Sequence, residues 1–139
     1  MQDIFNTLLA DASMKTLAQS IEKAGMTELL RAAGPYTLFA PNDEAFARMN
    51  TESLLNDPAN LKATLSYHLV AGRYTFEDLK HQETLGTENG KSLTIALDEG
   101  EMVVDNGKFV KTDIECANGI IHIIDNVFQP HLSGWYREE

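Results

Sequence analysis

The chain has 139 residues, 43% of them hydrophobic, with 21 acidic residues against 11 basic and a net charge of −10. That size and apolar content suit a single domain over residues 1–139 with one core and no second. The acidity argues against nucleic acid and anionic lipid as partners, because Lys62, Arg73, Lys108 and Lys111 are scattered rather than gathered into a basic patch.

In chain order, Asp3 is placed to cap a short helix carrying Ile4, Phe5, Leu8 and Leu9. Ser13 is placed to cap a second, whose Met14, Leu17, Ala18, Ile21 and Ala24 follow the spacing of one helix face. Gly25 ends it, and a third helix from Thr27 to Ala33 stops at Gly34-Pro35. Tyr36 to Ala40 is a β-rich run. Asn42 then serves as an N-cap, with Asp43 and Glu44 in the first turn, where the helix dipole favours negative charge. That helix buries Ala45, Phe46 and Met49. Thr51 and Asp57-Pro58 mark two more helix starts, the second helix carrying Leu61, Leu65 and Leu69 at four-residue steps.

After Gly72 the pattern turns to strands. Ser92 to Leu97 alternates polar and apolar, Asp98-Glu99-Gly100 is a turn, and Met102 to Val104 is a strand. Asn106-Gly107 is the strongest short hairpin signal a sequence can carry. Phe109, Val110 and Ile114 fall in the next strand or pair of strands. Asn118-Gly119 turns into Ile120–Ile124, an almost continuous apolar run that implies burial on both faces. The tail from Pro130 reads as irregular, with Trp135 and Tyr136 either folded back on the core or presented to a partner. Helices first and hairpins afterwards make the fold class α+β rather than alternating α/β.

Little in the chain reads as catalytic. The four histidines, His68, His81, His122 and His131, lack metal-ligand spacing. The lone Cys116 sits in an apolar segment and reads as a buried structural thiol. His68 and His122 read as rings hydrogen-bonded within the core or at its edge, and His122, among isoleucines, needs a backbone or carboxylate partner. Asp98, Glu99 and Glu101 surround a solvated turn. A G-x-S-x-G elbow and a glycine-rich phosphate loop are both missing. The expectation is therefore no enzyme, no metal and no cofactor.

Three stretches in order resemble the fasciclin (FAS1) family. Thr37-Leu38-Phe39-Ala40-Pro41-Asn42-Asp43-Glu44-Ala45-Phe46 is similar to its first homology segment, with Asn42-Asp43 standing where the family usually has Thr-Asn. Tyr67-His68 is similar to its Tyr-His segment, and Asn118 to Pro130 to its second homology segment. The resemblance implies a small β-sandwich of mostly antiparallel strands wrapped by several short helices. It gives Thr37, Phe39, Pro41, Asn42, Phe46, His122 and Asp125 structural parts in the motifs. It also implies a partner-binding role for Tyr67, His68, Asp113 and Ile114, of which Asp113-Ile114 matches an Asp-Ile pair whose flanking residues differ here. Asp113 also reads, and more simply, as a turn or bulge residue between strands.

The expected function is a non-enzymatic protein–protein interaction module, adhesion-like or an accessory subunit of a larger complex. Its partner would be another protein, in a membrane-associated complex or at a cell surface. No run of about 18 apolar residues offers direct membrane insertion. The start lacks a basic n-region and an apolar h-region, so the sequence as it stands reads as cytoplasmic, or as extracytoplasmic after removal of a signal peptide. The alternative is a small-ligand or lipid-binding protein with a pocket between helices and sheet, lined by Phe39, Phe46 or Leu69.

Overall fold

Helix ends leave backbone amides that side chains must satisfy, and the caps explain where most of the short helices begin. The computed structural model describes residues 2–48, 57–98, 100–105 and 107–128. Asp3 accepts the Asn6 amide at 2.7 Å and opens α1 (Ile4–Ala10), as expected. Ser13 does not cap the next helix. Asp11 accepts both its amide and its hydroxyl, at 2.8 and 2.7 Å, and folds Ala12–Met14 into one 3-10 turn. Helix α2 (Lys15–Ala24) follows directly, and its Thr16 amide is capped by Asp43 Oδ1 at 2.8 Å from 27 positions away. Gly25 closes α2 at φ 76°, in the left-handed region that costs glycine nothing.

Helix α3 (Thr27–Arg31) is shorter than its pattern, because Ala32 is already extended. Strand β1 (Tyr36–Pro41) leads into α4 (Asp43–Arg48), where Asn42 Oδ1 accepts the Ala45 amide at 2.8 Å. Met49 and the helix start at Thr51 lie outside the described residues. Asp57 caps α5 (Pro58–Ser66) through the Asn60 amide at 3.3 Å. Leu69 is not the third apolar step of that helix. The chain turns at Tyr67 and His68, and Leu69 opens β2 (Leu69–Ala71) against β1.

Two elements had no periodicity to show in the sequence: α6 (Phe76–Leu79) of 4 residues and β3 (Thr84–Gly86) of 3. The capping box of Thr75 with Asp78 is the local reason for α6. Strands β4 (Ser92–Asp98), β5 (Glu101–Val104), β6 (Gly107–Cys116) and β7 (Gly119–Ile124) complete the sheet. Val104 pairs with Gly107, so the hairpin register differs by one from the Asn-Gly reading. Gly107 belongs to the strand, and Asp105 takes the positive φ of 49°. Strand β6 is one strand, not two, with register shifts on either side of Lys111.

The strand order is β2-β1-β7-β6-β5-β4-β3, antiparallel except for the parallel pair β1–β7. The sheet curls until its ends approach, and the Glu88 amide donates to Leu69 O at 2.9 Å. Seven strands thus make a near-barrel, mixed with short helices, in accord with the α+β expectation. Gly119 is fixed by the parallel pair, since a Cβ there would stand 2.0 Å from Tyr36 O. Beside it, Asn118 stitches three elements together. Its Oδ1 accepts the Ile4 amide at 2.9 Å, and its Nδ2 donates to Leu30 O and Ala32 O at 2.8 and 2.6 Å.

The single core expected from length is two hydrophobic clusters. Strands β1 and β7 are covered on both faces, and alternation sends neighbouring residues to opposite sides. On one side Leu38, Ala40, Ile121 and Ile123 pack under the helices, with Ile4, Phe5, Leu17, Ile21, Phe46 and Leu61. On the other, inside the curl, Phe39 and Ile124 meet Tyr67, Leu93, Val104 and Phe128. Phe39, Phe46 and Leu69 fill these clusters and are divided between them, Phe39 inside and the other two under the helices. They do not form one pocket wall. Among the described residues no helix is long and apolar enough to cross a membrane.

Candidate interaction site

The motif residues converge where β1, β7 and β6 run side by side and the segment before α6 crosses over them. Thr37, buried on β1, holds that segment twice: its hydroxyl donates to Gly72 O at 2.7 Å and accepts the Tyr74 amide at 2.8 Å. His122 on β7 pairs with Phe39 across the parallel register and stacks on its ring at 5.8 Å. Its Nδ1 accepts the Asp113 amide at 3.2 Å. The other nitrogen must then carry the proton, and Nε2–H donates to Tyr74 O at 2.8 Å. Both nitrogens have backbone partners, as burial among isoleucines demands. Burial lowers the pKa of His122, opposed by the Tyr74 bond and the Asp113 charge.

Asp113 sits where β6 slips register between Lys111 and Ile114, at φ 59°. Its carboxylate is exposed, and Oδ1 accepts the Phe76 amide at 2.9 Å, fastening the first turn of α6 to the sheet. The Phe76 ring meets Phe109 edge-on at 5.3 Å, and Arg73 pairs with Glu115 at 3.3 Å. Ile114 is half-buried and packs towards the helix-side cluster. Val110, 57% exposed, stands on the same strand.

Tyr67 and His68 were expected beside Asp113-Ile114 on a partner-binding surface, but both are 0% exposed. The Tyr67 hydroxyl donates to Asp105 Oδ2 at 2.6 Å and so anchors the β5–β6 hairpin. His68 Nε2 accepts the Phe128 amide at 2.9 Å, so Nδ1–H donates to Thr64 O at 2.7 Å. Its ring stacks on Phe128 at 4.6 Å and 9°. Burial lowers its pKa to about 4, the Thr64 bond only partly opposing. These two side chains support the fold from inside. A ring series links the two histidines, His68 to Phe128 to Phe39 to His122.

The remaining motif residues are placed as follows. Pro41 ends β1 opposite Ile124, and the Asn42 amide donates to Ile124 O at 3.2 Å. Asp125 Oδ1 accepts the Lys108 amide at 2.8 Å and ties β7 to β6. The Cys116 thiol is buried beside Thr7 Oγ1 at 3.5 Å, and desolvation raises its pKa. His81 is exposed near Glu77, at 3.8 Å; His131, Trp135 and Tyr136 lie outside the described residues. Among the described residues no group of His, Cys, Asp or Glu is arranged to hold a metal ion. Sequence reading missed Arg73, Tyr74 and Phe76, although Thr75-x-x-Asp78 was legible as a capping box.

A family model of the fasciclin domain matches residues 12–130. The chain belongs to the fasciclin family. It is 36% identical to protein sll1735 of Synechocystis sp. over 91% of this chain and 97% of that protein. It is similar to transforming growth factor-beta-induced protein ig-h3 of Sus scrofa, 32% identical over 85% of the chain but only 18% of that larger protein. Human periostin is 28% identical over 93% of the chain and 16% of its own length. Among solved structures, a FAS1 domain pair from the insect cell adhesion molecule Fasciclin I aligns with a TM-score of 0.80 at 22% identity. That match covers 94% of this chain and 51% of the pair, and it establishes the FAS1 fold.

Proposed function

We propose that this fasciclin chain is a single-domain, non-enzymatic interaction module that docks on another protein through the exposed ground around Asp113 and Ile114. The carrying observation is the posture of Asp113. Its carboxylate is exposed, on a backbone locked at φ 59° and braced by His122 and by α6. A side chain fixed in this way offers a partner a charged group at little cost in ordering. Val110, Lys111 and the Arg73–Glu115 pair extend the surface. The adhesion-like role is favoured by the solved relative, itself called a cell adhesion molecule. The accessory-subunit role is the other setting for the same surface. The non-enzymatic reading is supported by the interior histidines, whose ring nitrogens are all engaged by backbone groups.

The test is affinity capture from the native cell with Asp113→Asn as the control, in separate cytoplasmic, membrane and exterior fractions. Asparagine tolerates the left-handed backbone, so the fold is kept. A defined protein retained by the parent and lost by the variant supports the site, and the fraction yielding it gives the setting. Equal retention by both chains rejects Asp113.

A second reading, small apolar ligand binding, is favoured by an open cleft of about 560 Å³ between α6 and the β4–β5 hairpin. Phe76, Ile95, Ala96 and Met102 line it together with Lys80 and Glu83, and its volume falls in the range of small-molecule sites. It lies elsewhere than the Phe39, Phe46 and Leu69 pocket expected from sequence. A saturable rise in melting temperature with fatty acids or aromatic acids, removed by Met102→Trp, would favour this reading.

A further inference from the structure

We infer that His122 is an acid-operated latch: on taking up a proton it draws the Asp113 carboxylate off the Phe76 amide and releases the first turn of α6 from the sheet. This goes beyond the binding role and does not depend on it.

The neutral ring lies between two backbone groups, giving its Nε2 proton to Tyr74 O and accepting the Asp113 amide at Nδ1. A second proton must go to Nδ1. Two donors, Nδ1–H and the Asp113 N–H, would then face each other where one bond now stands, and the imidazolium needs an acceptor there. The carboxylate of Asp113 belongs to the same residue as the displaced amide, and it is the charge acting on the ring. At present its Oδ1 is engaged by Phe76. Moving to the imidazolium exchanges a bond charged on the acceptor alone for one charged on both partners.

The consequence falls on α6. A helix of 4 residues has no independent stability and relies on its tethers. Its Thr75–Asp78 capping box stays with it when it moves, but the tether to β6 does not. The Tyr74 amide remains on Thr37, so the hinge lies between Tyr74 and Phe76. The Phe76 ring, which packs on Phe109 and lines the cleft, moves with it.

The surroundings of the ring leave Asp113 as the responding group. From β1 comes Phe39, and from β6 come Phe109 and Asp113. Arg73, on the crossing segment, is held by Glu115 of β6. On α6, Glu77 pairs with Lys80, and the Thr75 bonds hold Asp78 below the usual carboxylate range. Burial places the His122 titration below the ordinary histidine value, while His68 stays neutral down to about pH 4.

The experiment is an NMR titration of the whole chain from pH 7.5 to 4.5. It follows the His122 ring nitrogens and the backbone amides of Phe76, Phe39 and Ile121, in the parent and in Asp113→Asn. The expected result is an upfield move of the Phe76 amide proton in step with His122 protonation, with Phe39 and Ile121 unchanged. In Asp113→Asn the carboxamide has no charge to be drawn, and Phe76 stays put. The latch is overturned by a Phe76 amide that ignores the His122 titration, or by an asparagine variant that behaves like the parent. It is equally overturned if the Phe39 and Ile121 amides move together with Phe76, which is general unfolding, or if His122 stays neutral across the range.

Discussion

The Asp113 carboxylate and the Phe76 amide, 2.9 Å apart, join a register shift in β6 to the start of α6 across 37 positions of sequence. The contact makes Asp113 a structural residue as well as an exposed one, and the two roles can be separated by choice of substitution. Asp113→Ala removes the acceptor and places a Cβ-bearing residue without a local polar side chain at φ 59°. The expected loss is about 1–2 kcal/mol, the sum of a cap bond and a left-handed preference. Asp113→Gly keeps the backbone relaxed and should lose about 1 kcal/mol or less. Urea unfolding of the pair checks this, and equal stability of the alanine and glycine variants would count against backbone strain.

His68 makes the protein acid-sensitive in a defined direction. Its pKa is about 4 in the folded chain, against 6.5 ordinarily, so between these values the unfolded chain binds the extra proton. Stability is therefore full above about pH 6.5, falls as pH drops, and has lost on the order of 3 kcal/mol once pH is below about 4. His122 is lowered too and adds a loss of the same sign. In His68→Gln the stability at neutral pH should be lower, because the Thr64 and Phe128 bonds are disturbed, and the slope between pH 6.5 and 4 shallower. Chemical denaturation at a series of pH values measures both. An unchanged slope would mean that other groups carry the acid response.

Much of this arrangement was legible from the chain. Asp3, Asn42 and Asp57 act as the caps their positions announced, because capping is decided within three residues. The apolar run from Ile120 to Ile124 is buried on both faces, because a strand between two layers has no solvent side to mark. What stayed hidden is set by distant partners. Leu69 continues the helical spacing of Leu61 and Leu65, yet pairing with Leu38 of β1 takes it into a strand. His68 reads from the chain as hydrogen-bonded in the core or at its edge and is found there, but the partners that hold it and Tyr67, the Phe128 amide and Asp105 among them, lie tens of residues away. Asp113 was legible as a bulge or as a ligand, and the contact that decides its structural part comes from a helix too short to leave a pattern.

Asp43 shows the same limit and provides a test. As read from sequence it serves only its own helix, in the first turn after the Asn42 cap. In the fold it also caps the Thr16 amide of α2, whose own N-cap residue, Met14, makes no side-chain cap bond. Asp43→Ala should therefore cost about 1–2 kcal/mol, at least as much as Asn42→Ala at about 1 kcal/mol. Thr16 should lose amide-exchange protection in the first variant and keep it in the second. If Thr16 is equally protected in both, the cap between helices is not what holds the start of α2.

Gly119 sets the most demanding constraint. The parallel pairing of β1 with β7 begins at Tyr36 and Gly119, and the Tyr36 carbonyl lies where any larger residue would place its Cβ. Because that obstruction is backbone, no rotamer relieves it, and Gly119→Ala must push the two strands apart at the point where Asn118 also ties α1 and α3 to the sheet. The expected loss is large, upwards of about 4 kcal/mol, because strand pairing and a buried hydrogen-bond network fail together. Gly90→Ala is the control: a Cβ there meets nothing within 4 Å, and only its φ of 96° opposes the change. It should cost about 1–2 kcal/mol, the price of a left-handed backbone alone. Thermal unfolding of the two variants, side by side, separates collision from conformational strain. Similar losses in both would show that β1 and β7 can yield at this point.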